Sequence, residues 1–157
     1  TSYSTGDWSG SSTIPWGWQF DNALDSTYFG SSASYTGPTT TTVSGTSISA
    51  PWLQLQLPSA ITLTAYSFFS RPTQGFYTGR VPYQWFVAGS NDGTTWTMID
   101  DRRTNTVQMS TYGLDDVNPA TYYPSSTPAA YSYYRYFVTN TLNPTILEIG
   151  HMALYGV

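Results

Sequence analysis

The sequence contains no cysteine and no lysine, only one histidine, and only 9% charged residues in 157. Without cysteine there are no disulfides, and at this length folding buries roughly 68 to 70% of the unfolded chain's surface, enough for a core that needs no cross-links. The compartment therefore stays open on cysteine content alone. With five arginines (Arg71, Arg80, Arg102, Arg103 and Arg135) and a net charge of -4, no basic stripe exists to neutralise a phosphate backbone, which argues against nucleic acid as a partner. No run of 18 apolar residues appears, so no transmembrane segment is expected.

The missing residues also exclude chemistry. A nucleophilic triad would have to use His151, yet no Gly-x-Ser-x-Gly elbow occurs. One histidine and no cysteine do not make a zinc site, and Gly-rich phosphate cradles are absent. The adjacent carboxylates Asp100-Asp101 and Asp115-Asp116 point to opposite faces of an extended chain, so neither doublet aims both groups at one sugar. Solvated turn charge is the simpler reading of both.

Hydroxyls and aromatic rings dominate what is present. Ser and Thr together number 45, and aromatics make up 17% of the chain, with 14 Tyr, 7 Phe and 6 Trp. Threonine and aromatic residues favour strands, and rings beyond those the core needs are available to stack on a ligand or a partner. The stretch from Trp85 to Trp96 is the plainest structural signal. Trp85, Val87 and Gly89 alternate with Phe86 and Ala88, Asn91-Asp92-Gly93 supplies a turn, and Thr95 to Ile99 reads as the returning strand.

Along the rest of the chain, residues 1 to 20 mix Gly, Ser and Pro with Trp8, Trp16 and Trp18 and predict irregular structure pinned by rings. Residues 21 to 29 suit a helical turn or a compact acidic loop. The Ser/Thr-rich segment from Gly30 to Gly45 reads as an exposed loop or edge strand, with O-glycosylation as a second reading. Trp52 to Leu57 predicts a strand closed by Pro58, and Ile61 to Phe69 predicts another. A polar connection from Arg71 to Pro82 leads into the central hairpin. Val107 and Met109 mark a short strand, residues 113 to 133 a second long loop, and Tyr134 to Val138 and Ile146 to Tyr155 the closing strands. No window keeps a 3.6-residue period, so the expected class is all-β, a single domain over residues 1-157 built as a sandwich or barrel. The opening at Thr1, without Met or an apolar leader, reads as a mature or excised domain.

Four blocks carry a resemblance: Phe20-Asp21-Asn22 with Ser26-Thr27-Tyr28-Phe29; Pro51-Trp52-Leu53-Gln54-Leu55-Gln56-Leu57; Gly89-Ser90-Asn91-Asp92-Gly93-Thr94-Thr95-Trp96; and Tyr134-Arg135-Tyr136-Phe137-Val138 followed by Met152-Ala153-Leu154-Tyr155-Gly156. In order and spacing the chain resembles the discoidin, or coagulation factor V/VIII type C, family and its carbohydrate-binding relatives of the galactose-binding-like superfamily. The resemblance implies a galactose-binding-like β-sandwich, a jelly roll of about eight main strands, that binds and does not catalyse.

In its sugar-binding members a loop arginine, polar neighbours and an aromatic ring form the site, and Arg71 matches that arginine. Where several members carry an asparagine, this chain has Phe76, followed by Tyr77. Phe76, Tyr77, Tyr122 and Tyr123 are the expected stacking residues, set against the alternatives that these rings pack their own loops and that Arg71 clamps one loop to another. The chemistry is sound, since a guanidinium fork donates to vicinal hydroxyls and a ring covers a sugar's C–H face. The resemblance also implies a structural calcium near Asp21 and Thr27, while His151 stands where the family has a glutamate. A hydrogen bond from His151 to Asp21 is the ion-free alternative. The expected partner is a glycan or glycoprotein on an extracellular, cell or virion surface. The alternative is an assembly module that buries the same loops against neighbouring protein subunits of a capsid, fibre or filament. Phospholipid binding lacks a basic cluster.

Overall fold

The computed structural model describes residues 3–7, 27–29, 40–69, 82–104, 120–141, 147–149 and 151–157. They form eleven strands: β1 (Tyr3–Asp7), β2 (Thr27–Phe29), β3 (Thr41–Val43), β4 (Thr46–Ile48), β5 (Trp52–Phe69), β6 (Pro82–Ser90), β7 (Thr97–Asp101), β8 (Ala120–Tyr122), β9 (Ala130–Thr141), β10 (Leu147–Ile149) and β11 (His151–Gly156). One sheet has the order β1-β5-β9-β6-β7, β5 pairs in addition with β8 and β11, and β2-β10 and β3-β4 form two-stranded ribbons. All pairings between these strands are antiparallel. The expected all-β sandwich is what the chain builds.

The sandwich is organised by β5. Its first half, Trp52 to Gln56, lies between β1 and β9, and its second half, Leu63 to Phe69, between β8 and β11. The two strands expected on either side of Pro58 are therefore one. Pro58 lies within a register break between Gln56 and Ile61, where four residues of β5 are passed against a single residue of β9. Pro58, Ser59 and Ala60 are exposed there, and a bulge is where a strand tolerates proline and turns the corner from one sheet to the next.

Because it crosses the middle of the fold, β6 is buried on both faces. Trp85 and Val87 join Leu53, Tyr66, Tyr136 and Met152 in one core cluster, while Phe86 and Ala88 join Val43, Trp52, Trp96 and Phe137 in another. Phe86 stacks on Phe137 at 4.5 Å. Each such side chain contributes about 1.5–3 kcal/mol when fully buried. The β3-β4 hairpin closes the second cluster. Its turn, Ser44-Gly45, has positive φ at both residues, as a two-residue hairpin loop requires. Arg135 ties this hairpin to the sheet by donating to Gln54 Oε1 at 2.7 Å and Thr41 Oγ1 at 2.8 Å, with its guanidinium over the rings of Trp52 and Trp96.

The central hairpin forms as expected, and its turn explains the Ser-Asn-Asp-Gly-Thr sequence residue by residue. Ser90 Oγ accepts from the amides of Asp92 and Gly93, and Asp92 Oδ1 accepts from those of Thr94 and Thr95 at 2.7 and 2.6 Å. Asn91 donates to the Ala130 carbonyl and accepts from the Ser132 amide, fastening the tip to β9. Gly93 takes φ +73, and Trp96 is buried.

Three further expectations need correcting. Residues 1 to 20 include β1, residues 21 to 29 include β2 where a turn or loop was expected, and the long loop expected over 113 to 133 contains β8 and the start of β9. In each, Gly, Ser, Pro or Asp masks a short strand whose pairing partner lies far away in sequence. The strand expected at Val107 and Met109 lies outside the described residues.

Candidate functional site

Register places the last residue of β5 and the first residue of β6 toward one end of the sandwich. Phe69, the last residue of β5, stands opposite His151, and Phe68 stands opposite Ala120, so β11 and β8 both begin there. Tyr66 touches Trp85 through a hydrogen bond from Trp85 Nε1 to its hydroxyl at 3.1 Å. Phe69, three residues beyond Tyr66, and Pro82, three before Trp85, therefore lie toward the same end, joined by Thr141 opposite Pro82. Arg71 follows two residues after Phe69. Arg71, Phe76, Tyr77 and Asp21 lie outside the described residues.

Tyr122 and Tyr123 are described: Tyr122 is the last residue of β8 and Tyr123 the first beyond it. Tyr122 points into the sandwich. Its ring stacks on Tyr66 at 5.5 Å and meets the edge of Trp85 at 4.9 Å, and burial pushes its phenol up to about 12. Tyr123 points outward and is 66% exposed, so of this pair it is Tyr123 that offers a free ring.

Beneath them runs a polar chain. Tyr66 donates to Asp100 Oδ2 at 2.5 Å, and Arg102 Nε donates to the same oxygen at 2.8 Å. Arg102 Nη2 continues to the Tyr123 carbonyl at 2.7 Å. Asp100 is buried, so this arrangement supplies its counter-charge where water does not reach. Burial, and then the Asp100 carboxylate, push the Tyr66 phenol far above its ordinary value. Neither Arg102 nor the outward-facing Tyr155 of β11 stands out in the sequence, because each acquires its setting from pairing between strands.

For the calcium expectation, the backbone of β2 sets Thr27 opposite Ile149 and Tyr28 opposite Glu148. Register thus brings the backbone of Glu148 beside Tyr28 of the first sequence block. Among the described residues no group of three or more His, Cys, Asp or Glu is placed to hold a metal ion. Among those residues, too, no helix is long and apolar enough to cross a membrane.

No protein-family model and no curated protein matches the sequence. Solved structures do match in fold. A CBM32-3 domain from a family 31 glycoside hydrolase of Clostridium perfringens aligns with TM-score 0.63 at 16% identity, covering 99% of this chain and 88% of that one. A pectin-binding carbohydrate-binding module aligns with TM-score 0.62 at 15% identity, covering 99% and 90%. The CBM32 of AlyQ, solved in complex with 4,5-unsaturated mannuronic acid, aligns with TM-score 0.65 at 12% identity, covering 99% and 95%. At these identities the likeness is one of fold: the chain has the discoidin-like, galactose-binding-like β-sandwich of these carbohydrate-binding modules.

Proposed function

We propose that this chain is a non-catalytic carbohydrate-binding module that attaches to a glycan or glycoprotein through the loop beginning at Arg71. The observation that carries the reading is full-length fold likeness to carbohydrate-binding modules, combined with a register that sets the departure of that loop beside the first residues of β8 and β11. Arg71 supplies the donor fork for vicinal hydroxyls, and Phe76 and Tyr77 supply rings for a sugar's C–H face. An extracellular setting, on a cell, matrix or virion surface, suits such a ligand. Low charge favours neutral or weakly charged glycans over phosphate polymers.

The test is a glycan array probed with the whole chain and with Arg71→Ala, together with melting curves and solution size for both. The expected result is one glycan class bound by the native chain and lost in Arg71→Ala at nearly unchanged melting temperature. A large fall in melting temperature instead makes Arg71 a structural clamp. Self-association without any glycan hit replaces this reading with the assembly module. A structural calcium at Asp21 and Thr27 belongs to the same proposal, and an unchanged melting temperature with and without chelator removes it in favour of the ion-free loop.

A further inference from the structure

The second sheet carries a row of three residues across its outer face. Tyr155 of β11 stands opposite Ala65 of β5, and Tyr123 follows Tyr122, the partner of Tyr66, so the chain leaves β8 on the Ala65 side of that pair. Tyr66, Tyr122, Met152 and Leu154 all pack into the first core cluster, so the alternate positions Ala65 and Tyr155 face away from it, and Tyr123, just beyond β8, is turned to solvent. Tyr123 is 66% and Tyr155 47% exposed, and Ala65 itself is buried.

Beside this row opens a cavity of about 290 Å³ lined by Leu63, Thr64, Pro124, Ser125, Ser126 and Thr127. Its shape depends on a bulge. Ala65 pairs with Tyr155 but Leu63 with Gly156, so Thr64 is the extra residue, and its side chain is exposed while donating to the Tyr155 carbonyl at 3.1 Å. The lining offers four hydroxyls, an apolar floor at Leu63 and no charged group. A charged ligand would lose water there without meeting a counter-charge, whereas a polyol exchanges water for hydroxyl partners. The volume is at the small end of ligand sites, enough for one compact ring. Arg102 holds the backbone of Tyr123 from behind, so one wall is fixed before any ligand arrives.

We propose that this outer face is a second carbohydrate site, separate from the Arg71 loop, that takes a neutral pyranose in the cavity and carries the adjoining sugar across Ala65 between Tyr123 and Tyr155. The ligand class follows from the lining: hydroxyls for hydroxyls, rings for C–H faces, and nothing to balance a charge. The module would then hold a glycan at two places, which raises its hold on a polymer or a dense surface without a new contact.

The test is a titration of the whole ¹⁵N-labelled chain with methyl β-galactopyranoside, methyl α-mannopyranoside, N-acetylglucosamine and, as the charged counter-probe, galacturonate. At least one neutral sugar is expected to shift the amides of Thr64, Tyr123, Ser125, Ser126, Thr127 and Tyr155 along a single saturating curve. A Tyr123→Ala/Tyr155→Ala variant is expected to weaken that curve roughly tenfold, by loss of two ring contacts, while leaving any shifts in the Arg71 loop unchanged. Ser126→Trp, which fills the cavity, is expected to remove it. No shift at these amides with any neutral sugar, an unchanged curve in either variant, or tighter binding of galacturonate overturns the proposal. Shifts confined to the Arg71 loop overturn it and leave the first site standing; shifts confined to this face do the reverse.

Discussion

Arg102 joins Tyr123 to Asp100: its Nη2 donates to the Tyr123 carbonyl at 2.7 Å while its Nε donates to Asp100 at 2.8 Å. The strand β7, which Arg102 follows, is the last strand of the first sheet, and β8, which Tyr123 follows, lies along the second. One guanidinium thus links the edges of two layers and neutralises the carboxylate between them.

Arg102→Ala is therefore expected to destabilise the fold by about 2 kcal/mol, because it leaves the buried Asp100 with Tyr66 alone. Arg102→Lys should recover only part of the loss, since an ammonium lacks the planar fork that reaches both partners. Urea denaturation of the three proteins measures both effects.

Gly89 is fixed by close approach. A Cβ there would lie 2.3 Å from Tyr131 Cδ2 and 2.7 Å from the end of Ile99. Gly89→Ala is expected to lose about 2–3 kcal/mol through overpacking, and a compensating Tyr131→Ala in the same chain should recover part of it. Thermal melts of the single and double variants decide.

Asp92 sets an acid limb. Amide hydrogen bonds from Thr95 and Thr94 hold its carboxyl far below the ordinary 3.8. A carboxylate depressed in the folded state stabilises fully above its unfolded pKa, and the contribution is lost as pH falls through the folded value. Stability is thus expected to decline below about pH 4. Asp92→Asn, which keeps an acceptor but no longer titrates, should flatten the decline. Denaturation midpoints between pH 2 and 7 test it.

The buried phenols set an alkaline limb with the opposite sign. Tyr66, Tyr122 and Tyr136 are all raised by burial above the ordinary 10.0. Their contribution is complete below pH 10 and is lost as pH rises beyond it toward the folded values. Tyr66→Phe is expected to be less stable at neutral pH, through the lost Asp100 hydrogen bond, and to fall less steeply above pH 10. Unfolding curves at pH 7 and above pH 10 compare the two slopes.

The parts of the fold that could be read from the sequence were those with local signals. Trp85 to Trp96 announces itself by alternation and turn chemistry, and its two tryptophans are core residues. The Ser44-Gly45 hairpin was hidden in a Ser/Thr-rich tract where neither strand alternates in hydrophobicity, and β5 looked like two strands because Pro58 ends most strands but here occupies a bulge. Site residues divide the same way. Tyr122 and Tyr123 look equivalent as neighbours, yet pairing with Tyr66 leaves the first half-buried against the core, while the second, just past the strand, is exposed. Tyr155 could not be matched with Tyr123 from sequence, because the strand between them is some sixty residues or more from both in the chain and cross-strand register leaves no local trace.

The shared strand also gives the domain a polarity. Tyr3 of β1 pairs with Gln56, and Gly156 of β11 pairs with Leu63, so both outermost strands meet β5 close to its corner, while Phe69 and the departure of the Arg71 loop lie at the far tip of the same strand. Polypeptide or a tag joined before Tyr3 or after Val157 would attach toward the corner, away from the Phe69 end of β5. A chain anchored to a support through its C-terminus would also hold Tyr155 next to that support, so C-terminal immobilisation is expected to cover the Tyr155 end of β11 and leave the Phe69 end of β5 clear of the support.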